Sequence, residues 1–337
     1  MARLVEVTRG SIIESLHTGA VVVTRTDGAV AAVGDRRLVT YPRSSLKPFQ
    51  ALALVAAGGV ERFGLTDEEI AVLCASHAGE GQHLAIVAGL LEKIGASAAA
   101  LSCGTAVPGR LPGAAPSSEP ASALAHNCSG KHAGMLALAR LLDAPFDGYL
   151  APDHPAQVAI RRAIEAVLGP SAIRAVGADG CNAPAFAVPL EAMARAFGQL
   201  ARPAGPWAAA LERIGGAMRR HPTLVSGSRG FLDTALMAAV PGLVAKRGAE
   251  GFFALGLADG TGLALKVRDG DPAGRAVGPA TVAALIALGT LDGAALPAEV
   301  AAFGPVHHLR DRTGFPIGAI RPARSLWALG ALARRSD

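Results

Sequence analysis

Two kinds of hydrophobic pattern divide this 337-residue chain. Near both ends, short β-branched and apolar runs stand on either side of Asp-Gly turns. Residues 21–24 and 30–33 flank Asp27-Gly28, and residues 252–258 and 263–267 flank Asp259-Gly260-Thr261-Gly262. Each pair predicts a β-hairpin, the second signal weakened by recurring glycine. Residues 3–7 and 11–17 add further β-prone stretches. The middle reads as mostly helical, in Ala/Leu-rich segments near 45–58, 67–75, 82–95, 131–142, 155–168, 190–202 and 207–220, with another helix over 279–291. Strands from about 1–40 and 243–325, around a mainly helical region over about 45–225, predict an α/β (α+β) fold. Its antiparallel sheet is built from both chain ends, with flanking helices and an inserted helical region. Because the ends share that sheet, one domain is expected over 1–337. Residues 103–122, rich in Gly, Pro, Ala and Ser, read either as a loop or flap between helices or as a disordered excursion.

Composition narrows the classes. Hydrophobic residues make up 51% and aromatics 4%, so a large core must be built mainly from Ala, Leu and Val. The net charge is +5, but the basic pairs are isolated and lack interleaved aromatics. This argues against a nucleic-acid partner and leaves a weakly basic cleft for an acidic or zwitterionic molecule. Charges interrupt the first ten residues too early for a signal peptide, and no uncharged apolar run approaches a membrane span. A cytoplasmic protein with no membrane partner is expected. In that reducing setting Cys74, Cys103, Cys128 and Cys181 are buried thiols, nucleophiles or metal ligands rather than disulfides.

Lysine is rare. Only Lys47, Lys93, Lys131, Lys246 and Lys266 occur, and the remaining positive charge is arginine. A desolvated lysine can lose its proton, whereas arginine does not. Ser44-Ser45-Leu46-Lys47 places a hydroxyl and an amine three positions apart, on one face of a helix, where a neutral amine can activate a serine. Ser45 is an alternative hydroxyl. Pro48 is tolerated if it falls in the first helical turn. Lys246-Arg247-Gly248, just before a strand, resembles the second lysine of serine β-lactamases and penicillin-binding proteins. Ser76 is the candidate to shuttle a proton between the two lysines, and Gly248 would let a substrate approach the strand edge. Asn127-Cys128-Ser129-Gly130-Lys131-His132 and Ala178-Asp179-Gly180-Cys181-Asn182 are glycine-marked polar turns carrying one cysteine each. The spacing suits either a zinc site or two plain buried cysteines, and on residues alone favours the latter. Asp179 could meet a substrate ammonium or Lys131.

The ordered set Arg43-Ser44-x-x-Lys47-Pro48, Cys74-Ala75-Ser76-His77, Asn127 to His132, Pro152-Asp153-His154-Pro155, Asp179-Gly180-Cys181-Asn182 and Lys246-x-Gly248 resembles the bacterial L-asparaginase II family of the Rhizobium etli inducible type. The resemblance implies a β-lactamase, penicillin-binding-protein and glutaminase kind of fold. It implies a single catalytic domain that hydrolyses L-asparagine, a small amino-acid amide, to L-aspartate and ammonia. Ser44 would be the nucleophile, Lys47 its base, and Ser76 with Lys246 a second serine–lysine pair. Arg43, His132 and Asp179 are the expected substrate contacts. Cys128, Lys131 and Cys181 match a zinc site; no organic cofactor is implied, and a homodimer is expected. Two segments depart from the pattern: Gly104 to Pro108 lacks an expected histidine, and Ser226 to Thr234 is shifted by one residue. Two other readings stay open. One is a related hydrolase acting on glutamine or a β-lactam; the other is a non-catalytic zinc-binding protein.

Overall fold

The computed structural model describes residues 1–28, 30–113, 115 and 117–330. In chain order its strands are β1 (Ala2–Arg9), β2 (Ile12–Thr24), β3 (Val30–Val33), β4 (Val39–Thr40), β5 (Ala175–Ala178), β6 (Pro184–Pro189), β7 (Val244–Arg247), β8 (Phe252–Gly256), β9 (Gly262–Val267), β10 (His307–Arg310) and β11 (Pro316–Pro322). The main sheet runs β10-β11-β1-β2-β9-β8-β7, with β3 also paired to β2, and every pair is antiparallel. Both expected hairpins form: Val21 pairs with Val33, and Phe252 with Lys266. The sheet therefore draws on both chain ends, as the hydrophobic pattern predicted.

All of β8 is buried, which reads as a continuous apolar run because both of its faces are covered. Helix Leu190–Ala201 packs on β2, β8 and β9, and helix Val277–Ala287 on β1, β9 and β11. The first contact is very close. A Cβ on Gly256 or Gly262 would run into the carbonyl oxygens of Phe197 and Ala194.

Between the sheet halves lie the inserted helices. Helix Lys47–Ala56 is buried from Lys47 to Val55 and packs against helices Ser129–Leu141, Pro155–Leu168 and Ala208–Arg220. A helix apolar on every side belongs inside a core. Pro48 is its second residue, where the missing N–H has no intrahelical partner to lose. His154 caps helix Pro155–Leu168, accepting from the Ala156 N–H at 3.2 Å. The inserted region is not wholly helical: β4, β6 and β5 form a separate three-stranded sheet. Among the described residues no helix is long and apolar enough to cross a membrane.

Candidate active site

The small sheet positions the chemistry. β4 leads through Tyr41-Pro42 into a 3₁₀ turn, Arg43–Leu46, that continues into helix Lys47–Ala56. β6 pairs with β4 and also forms, with β5, a hairpin whose tip is Asp179-Gly180-Cys181-Asn182. The Ser44 turn and that tip are thus neighbours. An ion pair closes the contact, with Arg43 Nη2 2.6 Å and Nε 2.7 Å from Asp179 Oδ1. Arg43 holds a left-handed backbone, φ +53°, which is rare for a long side chain and marks a strained turn.

Behind the turn, Ser45 is fully buried and donates to the Lys246 carbonyl at 2.7 Å. Of the two hydroxyls, Ser44 alone lines the cleft. A Cβ on Gly248 would strike the Pro42 carbonyl oxygen and Phe252. That glycine lets the chain beyond β7 lie against the Ser44 turn, rather than serving the approach of a substrate as its sequence position suggested.

A cleft of about 410 Å³ opens over this junction, with Arg43, Ser44, Cys128, Asp179, Cys181 and Arg247 in its walls. The 103–122 segment supplies another wall through Thr105 and Arg110. It is a pinned loop: the Arg110 N–H donates to the Ala78 carbonyl at 2.7 Å, and Ala106 bridges Ser122.

The lysines lie beneath the cleft. Lys47 is 1% exposed and Lys246 has no exposure. Lys47 Nζ is 2.5 Å from the Ala75 carbonyl, 3.0 Å from Ser76 Oγ and 3.3 Å from the Asn127 carbonyl. Burial lowers its pKa, and the nearby Lys131 adds to that, against the pull of Cys128 and Cys181. Lys246 Nζ donates to the Arg247 carbonyl at 3.0 Å and lies 3.8 Å from Asp233 Oδ2. Burial pulls its pKa down to about 7, although Asp233 opposes the shift. The hydrogen bonds therefore differ from the pairing read from spacing. Among the described residues none joins Ser44 to Lys47 or Ser76 to Lys246. The Lys47 side chain reaches instead to the turn after helix Asp67–Leu73, where Ala75 and Ser76 stand.

Beside the lysines, Cys128 precedes helix Ser129–Leu141 and Lys131 sits in its first turn. Lys131 Nζ is 2.9 Å from Cys181 Sγ and 3.9 Å from Asp179 Oδ2. The Cys128 thiol is held well below its usual range by a hydrogen bond from Cys181, with Lys47 and Lys131 helping against burial. The same bond pushes Cys181 up, and burial reinforces it. Burial works to discharge Lys131, but Cys128, Cys181 and Asp179 together outweigh it and raise its pKa. These shifts favour negative charge on Cys128 and positive charge on Lys131. Among the described residues no three His, Cys, Asp or Glu side chains are grouped to hold a metal.

With this geometry in place, the comparisons become informative. A family model described as L-asparaginase II matches residues 5–322. The chain belongs to the L-asparaginase II family. Membership marks it as an amidohydrolase. No curated protein matches it. One matching solved structure is a probable glutaminase from Bacillus subtilis complexed with 6-diazo-5-oxo-L-norleucine, 13% identical over 75% of this chain and 78% of that one. Its TM-score is 0.35, too low to carry an argument.

In this L-asparaginase II family member His132 does not line the cleft. It has no exposure, its Nδ1 lies 2.6 Å from the Tyr149 hydroxyl, and burial drops its pKa to about 2. Its expected substrate contact would have to be made from this buried position, through Tyr149 or a shift of the helix start. Residues that spacing did not single out also converge here. His77 Nε2 is 2.9 Å from Ser129 Oγ, and its Nδ1 accepts from the Gly79 N–H. The imidazole is therefore neutral and donates to the serine, as its burial also favours. Arg247 reaches the Ser76 carbonyl at 2.6 Å. Both residues stood inside recognised motifs, but no sequence spacing tells where a side chain points across a fold.

Proposed function

We propose that the chain is a single catalytic domain hydrolysing L-asparagine to L-aspartate and ammonia through a serine acyl-enzyme. The observation that carries this reading is a desolvated Lys47 amine at the start of the helix that follows a cleft-facing Ser44, whose hydroxyl has no partner among the described residues. Lys47 Nζ donates to the Ala75 carbonyl and to Ser76 Oγ and is 3.3 Å from the Asn127 carbonyl, while burial favours loss of its proton. When substrate enters, Lys47 takes the Ser44 proton and Oγ bonds to the side-chain amide carbon. The C–N bond then breaks as the proton taken by Lys47 is passed on by Ser76 and Lys246 to the departing nitrogen, and ammonia leaves. Water hydrolyses the ester. Arg43 and Asp179, side by side in the cleft wall, suit the carboxylate and ammonium of a zwitterion.

The donors also fit zinc. Two sulfurs and one amine cluster at the cleft, supplying three of four tetrahedral positions, so Cys128, Lys131 and Cys181 would hold the ion. When bound it would supply a fixed positive charge beside the substrate. A cytoplasmic homodimer completes the reading, and light scattering of the purified protein tests the oligomer.

Ammonia release is to be measured from asparagine and glutamine, with nitrocefin cleavage alongside, for wild type and Ser44→Ala. Asparagine turnover abolished by the substitution supports the reading. Preference for glutamine or nitrocefin moves the substrate to a related hydrolase, and a Ser44→Ala protein as active as wild type ends the acyl-enzyme scheme.

A further inference from the structure

One buried carboxylate stands outside the scheme above. Asp233, in the first turn of helix Leu232–Ala239, has no exposure. Its Oδ2 accepts from the Ser226 hydroxyl at 2.8 Å and from the Arg247 main-chain N–H at 3.0 Å, and Lys246 Nζ is 3.8 Å away. Its Oδ1 accepts from the Thr234 N–H at 3.2 Å. A carboxylate shut off from water is costly unless it is paired and hydrogen-bonded, and here it is both.

The bonds lead to the reaction centre from two directions. Arg247 Nε donates to Ser226 Oγ at 3.2 Å, its Nη2 donates to the Ser76 carbonyl at 2.6 Å, and its guanidinium lies over the Phe231 ring. The Ser76 N–H donates to the carbonyl of Val225, next to Ser226, at 2.8 Å. Both main-chain groups of Ser76 are thus fixed by a frame that centres on Asp233, and the same carboxylate faces Lys246.

We propose that Asp233 is a positioning residue that holds the Lys246 amine in place and, through Ser226 and Arg247, braces Ser76 against it. This rests on the reaction proposed above for the role of those two groups. The charged and titratable groups around Lys246 are Asp233, Arg247 beside it, Lys47 and Cys128 across the core, and Cys74. Asp233 and Cys128 favour the ammonium, while Arg247 and Lys47 disfavour it. Without the Asp233 charge, Lys246 must release its proton more readily.

The test is Asp233→Asn, read by NMR of protein carrying ¹³Cε-lysine; with five lysines, each resonance can be assigned by substitution. Lys246 is expected to titrate about one pH unit lower or more in the variant. The rising limb of kcat/KM should move the same way, and kcat should fall about tenfold with KM little changed. A folded variant in which Lys246 and kcat both behave as in wild type overturns the proposal. If Asp233→Asn does not fold, Ser226→Ala replaces it: a comparable loss of kcat at unchanged KM supports the frame, and an unchanged kcat overturns it. The lysine titration needs no substrate. Absence of asparagine turnover in wild type would therefore sink the proposed reaction, while the Lys246 titration still decides on Asp233.

Discussion

The Lys47 amine lies 3.0 Å from the hydroxyl of Ser76, 29 positions along the chain, and makes no hydrogen bond to Ser44 three positions away. The buried amine is thus hydrogen-bonded to Ser76, while the Ser44 hydroxyl lines the cleft.

Access favours Ser44 as the nucleophile of the proposed reaction. Ser44 lines the cleft and Ser76 is 2% exposed. A diazoketone analogue of L-asparagine should therefore leave its mass on the peptide containing Ser44, as read by mass spectrometry of a digest. An adduct on Ser76 would reverse the assignment. Ser44→Ala should lower kcat at least ~10³-fold, and Ser76→Ala by about 10²-fold or more.

The pH dependence follows from burial. Both lysines have lowered pKa values, Lys246 to about 7, and in the proposed reaction the neutral amine is the working form. Activity is therefore lost as pH falls through that value and regained as pH rises. kcat/KM should climb through about pH 7 and level off on the alkaline side. A profile that stays flat between about pH 6 and pH 9 contradicts a lysine base.

Zinc binding should release protons. The hydrogen bond from Cys181 lowers the Cys128 pKa, whereas those of Cys181 and Lys131 are raised. Ligation requires deprotonated thiols and amine, so it should release protons and affinity should rise with pH. Calorimetry in buffers of different ionisation enthalpy counts them. Cys128→Ala and Cys181→Ala should each weaken the bound zinc measured after dialysis, and full occupancy in both would remove the site.

Gly248→Ala places a Cβ against the Pro42 carbonyl and Phe252. Overpacking of this kind costs about 1–3 kcal/mol, to be read from denaturant unfolding. Because the displaced atoms belong to the turn that carries Ser44, kcat should fall as well. A substitution silent in both measurements would show that the turn can shift freely.

Asp179→Asn removes the charge facing Arg43 and Lys131. KM for asparagine should rise about tenfold or more if, as proposed, Asp179 is a charged hydrogen-bond partner of the substrate. An unchanged KM would take Asp179 out of substrate binding.

Much of the frame was legible from the chain. The Asp-Gly turns fixed both hairpins, because their flanking runs alternate or stay apolar over strand-length distances. The long Ala/Leu segments gave the helices for the corresponding reason. The small sheet was not legible. β5 is four residues and largely exposed, and β6 lies between two prolines, so neither shows a period long enough to read. That miss matters, because the β5–β6 tip carries Asp179 and Cys181. The candidate residues were found through local motifs, whereas their partners were not. Lys47 meets Ser76, and Arg247 meets Asp233, through helix and strand packing that a local spacing does not encode.

β1 pairs with β2 along one edge, and its other edge is filled by β11, where Val5 pairs with Pro322. A chain leaving the ribosome carries Ser44, Ser76 and all three sulfur-and-amine ligands long before this edge exists. Until the final segment emerges, β1 presents an unfilled hydrogen-bonding row to every other nascent copy. Slow closure between distant ends is the vulnerable stage of production for this protein. Coexpressed chaperones or lower growth temperature should raise its yield more than any change at the cleft.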